Sequence, residues 1–135
     1  MKHLLLFTII YMSCPFCFSQ KQVEMNQKAN KNYEKADKAL NDTYQKILTE
    51  YKSDVEFIKN FKAAQRAWIQ FRDAEMKAKY PDREPGYYGS IQPMCWSMYL
   101  KDLTEERNKK LKIWLTGIEE GDACSGSVKT KASVF

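Results

Sequence analysis

One histidine is all the imidazole in this chain of 135 residues, and it is His3, close to the start. A leader that took it away would leave the folded part with none. That excludes His-based triads, Cys–His pairs and His-ligated zinc. Glycine and proline are scarce, 5 and 4 in all, and apart from Pro15 they gather between Pro81 and Pro93 and from Gly117 onward. The chain has almost no strand-like alternation, and no phosphate-binding glycine loop. Charge of one sign is also missing. The 22 Lys+Arg and 17 Asp+Glu leave a formal +5 spread along the chain, which points to no nucleic-acid partner. The one long apolar run, Leu4 to Met12, is far short of the roughly 20 residues that span a bilayer. What remains is one domain's length, enough to bury a core.

Met1 to Ser19 reads as a signal peptide: Lys2, then the apolar run, then Cys17-Phe18-Ser19 with small residues where a signal peptidase reads. The mature chain would start at about Gln20 and be exported, periplasmic or secreted. A lipid on Cys14 would require Tyr11-Met12-Ser13-Cys14 as a lipoprotein site, where Tyr11 is bulky; only then would a membrane be a partner. Without the leader the charge is 21 − 17 = +4, and Cys95 and Cys124 remain. An oxidising compartment invites a disulfide between them. Geometry pulls the other way. A helix from Cys95 to Gly117 is roughly 33 Å long, and seven residues reach back about 25 Å. Both outcomes stay open.

The rest reads as helix. Tyr33, Ala36, Leu40, Tyr44, Ile47 and Tyr51 recur at steps of three and four between about Asn26 and Tyr51. Ser53, with Glu56 after it, offers a capping box for a second helix striped by Phe57, Phe61, Ala64, Trp68 and Phe71. Pro81 ends it. A third helix from about Met94 carries Trp96, Leu100, Leu103, Leu111, Trp114 and Ile118. The expectation is an all-α domain over residues 20–118, a three-helix antiparallel bundle, with a flexible tail over 119–135. Between helices two and three lies the Pro/Gly/Tyr loop YPDREPGYYGSIQP, Tyr80 to Pro93, long enough to be functional.

Two features stand out from a plain bundle. Arg107 occupies the stripe position between Leu103 and Leu111, and counting from the turns puts Asn41, Gln65 and Arg107 in one layer, with Asp37 or Glu34 as a nearby acid. That layer is either a register-fixing polar contact or the floor of a ligand pocket. The second is Tyr80, Tyr87 and Tyr88, tyrosines on a loop, which either form a contact surface or fold over the bundle end. Trp68, Phe71, Trp96 and Trp114 read as core. Glu105-Glu106 and Glu119-Glu120 point apart on a helix and make poor acid/base pairs. No cofactor or metal site and no catalytic pair is in view.

The segments Leu40-Asn41-x-x-Tyr44, Ala64-Gln65-Arg66-Ala67-Trp68-Ile69-x-Phe71-Arg72-Asp73-Ala74-Glu75, Gly89-Ser90-Ile91 and Leu103-Thr104-x-x-Arg107-x-x-x-Leu111 resemble the LprI-like lysozyme-inhibitor N-terminal domain family, in order, from about Asn26 to Leu115. The resemblance implies a helical, exported, non-enzymatic protein, with Asn41, Gln65, Trp68, Arg72, Asp73 and Arg107 as motif positions. It also implies a cysteine pair flanking the loop, where this chain has Met76 and Tyr99. The expected function is inhibition of a lysozyme-like muramidase through the loop, with Tyr87, Tyr88 and Glu84 as contact residues. The alternative is a module that binds anionic cell-wall polymer or lipid headgroups.

Overall fold

A computed structural model describes residues 14–131; Met1 to Ser13, most of the expected leader, lie outside it. Three long helices, α1 (Cys14–Glu50), α2 (Val55–Lys79) and α3 (Gln92–Leu111), are followed by a single turn, α4 (Ile113–Thr116). Asp54 caps α2, its side chain accepting from the Phe57 amide at 2.9 Å. The expected Ser53 cap is thus one residue early, because the turn after α1 is closed by the Asp54 amide on the Tyr51 carbonyl. Pro93 opens α3, where a missing amide proton costs nothing.

The short α1–α2 turn makes those helices antiparallel, and α3 then runs parallel to α1. Asn26 Nδ2 donates to the Ser90 carbonyl at one end, and the Tyr51 hydroxyl donates to the Trp114 carbonyl at the other, at 3.2 and 2.9 Å. α1 and α3 are the closest pair. Small side chains permit it: Ala29, Ala36 and Thr43 on α1 and Ser97 and Thr104 on α3 recur every seven residues and are all buried. The large residues of α3 sit beside this seam. Trp96, Leu100 and Leu103 are only half-buried, while Leu111 joins Leu40, Ile47 and Phe61 in the main core.

That core lies at the α1–α2 turn. Tyr44, Tyr51, Phe57 and Trp114 stack around Phe61, with ring centroids 4.7 to 6.4 Å apart. Each fully buried aliphatic side chain here contributes about 1.5–3 kcal/mol, so this end holds most of the stability. On α2 the buried line runs Phe61, Gln65, Met76 rather than through Ala64 and Phe71. Phe71, expected in the core, is 55% exposed. A helix turns 3.6 residues per turn, so a strict 4-3-4-3 stripe drifts off the contact face along its length.

The segment after Gly117 also departs from expectation. Ile118 pairs with Thr130, with amide bonds to Lys129 and from Lys131. The Lys129 amide donates to the Tyr51 hydroxyl, and Trp114 Nε1 donates to Ser127 Oγ. Residues 118–131 therefore fold back on the core end although they bring few apolar groups. Backbone and tyrosine hydrogen bonds take the place of burial.

Candidate functional site

The end opposite the core carries the loop. After α2, Tyr80 packs at a tilt against Trp96 of α3, ring centroids 5.5 Å apart, and meets Tyr88 edge-on at 5.7 Å. The Tyr88 hydroxyl donates to the Pro81 carbonyl at 2.8 Å. Gly86 and Gly89 have positive φ, and the Tyr87 amide donates to the Glu84 carbonyl, so residues 84–89 form two successive tight turns. These turns divide the three tyrosines. Tyr80 and Tyr88 close over the bundle end, and burial raises the Tyr80 hydroxyl above its ordinary pKa. Tyr87 stays 67% exposed, with the Arg83 guanidinium over its ring, and Asp82 and Glu84 flank it in solvent.

Met76 and Tyr99, the positions where the resemblance implies a disulfide, are not cysteines, yet the helices are tied here. The Tyr99 hydroxyl donates to Glu75 Oε1 at 2.8 Å, raising the Tyr99 pKa, and Lys79 Nζ lies 3.4 Å over the Tyr99 ring. Met76 is buried beside them. Cys95 and Cys124 are both free thiols, so the disulfide between them is not formed. Cys95 sits in the first turn of α3 and Cys124 beyond its far end. The stretch that would have to return is held by Tyr51 and Ile118 instead.

The polar layer divides as well. Arg107 Nε donates to Oε1 of the buried Gln65 at 3.1 Å, joining α3 to α2 as the count placed them. Asn41 is not with them: it is exposed and donates to Asp37. Asp37 faces Arg72 at 3.9 Å, and Arg72 is held mainly by Asp73 at 2.8 Å. Both guanidinium groups lie close to the Trp68 ring, Arg72 at 5.4 Å and Arg107 at 5.8 Å from its centroid. Among the described residues Arg107 makes no ion pair, and burial pulls its pKa down. It lines a cavity of about 520 Å³ between α2 and α3, with Trp68, Phe71, Glu75, Tyr99 and Glu106 among its walls.

Sequence reasoning missed a third feature. A groove of about 650 Å³ between α1 and α3 is lined by Lys35, Lys101, Lys109 and Lys112 together with Asn108. Lys35 lies on α1, Lys101 and Lys109 on α3 and Lys112 at the cap that follows it, and only the α1–α3 contact brings them together. Spacing alone carries no sign of it.

Among the described residues no group of carboxylates or cysteines is gathered to hold a metal ion, and no helix is long and apolar enough to cross a membrane. The pattern of the family described as Lysozyme inhibitor LprI matches residues 17–111. Over 110 residues the chain is 32% identical to an uncharacterized protein of Rhizobium meliloti (strain 1021), spanning 73% of this chain and 76% of that one. No solved structure matches. With most of its helical length inside that pattern, the chain belongs to the family described as Lysozyme inhibitor LprI.

Proposed function

We propose that this protein is an exported, non-enzymatic inhibitor of a lysozyme-like muramidase, and that the loop between α2 and α3 is the part that enters the partner's cleft. Family membership supports the inhibitor class. The observation that carries the loop assignment is the placing of Tyr87, 67% exposed on a segment under which Tyr80 and Tyr88 pack. A pre-shaped loop with an outward aromatic ring loses little entropy on docking. Glu84 and Asp82 add acidic groups beside it.

The first test adds purified Gln20–Phe135 to a lysozyme cell-wall lysis assay, with a basic helical protein of equal charge as control. Stoichiometric inhibition is the expected result. A Tyr87→Ala/Tyr88→Ala/Glu84→Ala variant is expected to lose it with its helix content kept; unchanged inhibition in that variant sinks the loop assignment.

The lysine groove favours a second reading, an envelope module that binds anionic polymer. Lys101 is engaged by Asp102 and Glu105, which leaves Lys35, Lys109 and Lys112 to face a polyanion. On that reading the protein retains wall polymer in a pull-down and leaves lysis unaffected.

A further inference from the structure

We propose that the cavity between α2 and α3 binds a monosaccharide-sized acidic sugar, with its carboxylate on the Arg107 guanidinium and its ring against Trp68 and Phe71. The cavity lies along the helices, apart from the loop, and the inference does not depend on muramidase inhibition.

Charge supplies the first argument. Three carboxylates line the cavity, and each already has a donor: Glu75 from the Tyr99 hydroxyl at 2.8 Å, Glu106 from Lys110 at 3.3 Å, Asp102 from Lys101 at 3.3 Å. Of the two basic wall residues, Lys110 is paired with Glu106 and Arg107 has no acidic partner among the described residues. Its Nε is spent on Gln65, and among the described residues its two terminal nitrogens have no acceptor. A half-buried guanidinium stays protonated, and a carboxylate that accepts from both terminal nitrogens supplies what the fold leaves out.

Shape supplies the second. About 520 Å³ is much more than a bare carboxylate needs and suits one substituted sugar ring. Phe71 is 55% exposed here although it lies between Gln65 and Met76 of the buried line of α2. Together with Trp68 it gives an aromatic wall for the apolar face of a pyranose. The carboxylates of Glu75, Asp102 and Glu106 accept from hydroxyl and amide donors, which a sugar carries all round its ring. An acidic peptide side chain offers the carboxylate with no ring to lie against Phe71.

The test follows the indole and arginine Nε–H signals of the purified protein in ¹H–¹⁵N spectra during titration with N-acetylmuramic acid, N-acetylglucosamine and lactate. The acidic sugar is expected to shift Trp68 and Arg107 and to leave Trp114, at the far end, in place. The neutral sugar lacks the carboxylate and lactate lacks the ring, so each is expected to bind at least about tenfold more weakly. Arg107→Lys keeps the charge but loses the planar fork, and is expected to weaken binding about tenfold. Phe71→Ala, at an exposed position that spares the fold, is expected to weaken it as well. Unmoved Trp68 and Arg107 signals, equal binding of the two sugars, or full affinity in Phe71→Ala would each overturn the assignment.

Discussion

Thr104 is fully buried on α3 where it faces α1, and its hydroxyl has no hydrogen-bond partner among the described residues; Oδ1 of Asn108, one turn on, is in the same position. A buried polar atom left unpaired costs about 1–3 kcal/mol, more than the hydroxyl returns in contact. Thr104→Val keeps the branched shape, and a gain of about 1 kcal/mol in urea denaturation with an unchanged m-value is expected. A loss instead would mean that the hydroxyl is bonded. Tyr99 makes a pH-dependent case. Its pKa is raised above 10.0 because its hydroxyl donates to Glu75, so the protonated form is the one the fold favours. The resulting stability is fully present below pH 10, the unfolded value, and is lost as pH rises through the folded pKa. Thermal melts of wild type and Tyr99→Phe are expected to differ at neutral pH and to converge as pH rises above 10 through the folded pKa. A gap that stays constant across that range removes the hydrogen bond as its cause.

At the scale of elements, Gly117 decides whether residues 118–131 return to the bundle. Its φ is +75°, and a Cβ there would lie 2.9 Å from the Lys129 carbonyl oxygen and 3.1 Å from the Lys131 nitrogen. Gly121 also has positive φ, +89°, but open space around it. Gly121→Ala therefore carries backbone strain alone, about 1 kcal/mol, while Gly117→Ala must also push the returning segment away. The expected result is a larger loss for Gly117→Ala, with faster proteolysis confined to 118–131; equal losses would mean that the segment contributes nothing. Helix positions were readable because Leu40, Ile47 and Phe61 keep a helical period and Pro81 ends α2. The Gln65–Arg107 contact was readable by counting from two turns. The return of 118–131 was not, since it rests on backbone pairing and on isolated side-chain links such as Trp114 to Ser127 and Lys129 to Glu50, which make no periodic pattern. The α1–α3 seam was hidden for a related reason: it is built from Ala, Ser and Thr, while the larger residues that draw the eye lie beside it. Asn41 is a motif position that the count put beside Arg107, yet it faces solvent because α1 turns its small residues, not this amide, toward α3.

For the whole molecule, salt separates the two functional readings by the sign of its effect. Without residues 1–19 the chain carries 21 basic and 17 acidic side chains, net +4. A basic muramidase is repelled by that charge at long range, and the loop acids Asp82 and Glu84 act only at contact. Raising ionic strength from about 0.01 to 0.15 M shortens the screening length from about 30 to 8 Å. The repulsion between whole molecules then fades while contacts at Tyr87 survive. Association with a basic muramidase is expected to quicken by a few-fold over that range, with little change in dissociation. Binding of an anionic polymer in the groove of Lys35, Lys109 and Lys112 depends on the same charges with the opposite sign, and is expected to weaken steeply. Lysis inhibition measured across the series therefore reports its own mechanism. Inhibition that holds or strengthens with salt belongs to direct contact with the enzyme. Inhibition that collapses by 0.15 M belongs to coating of the wall, and would transfer the function from the loop to the lysine groove.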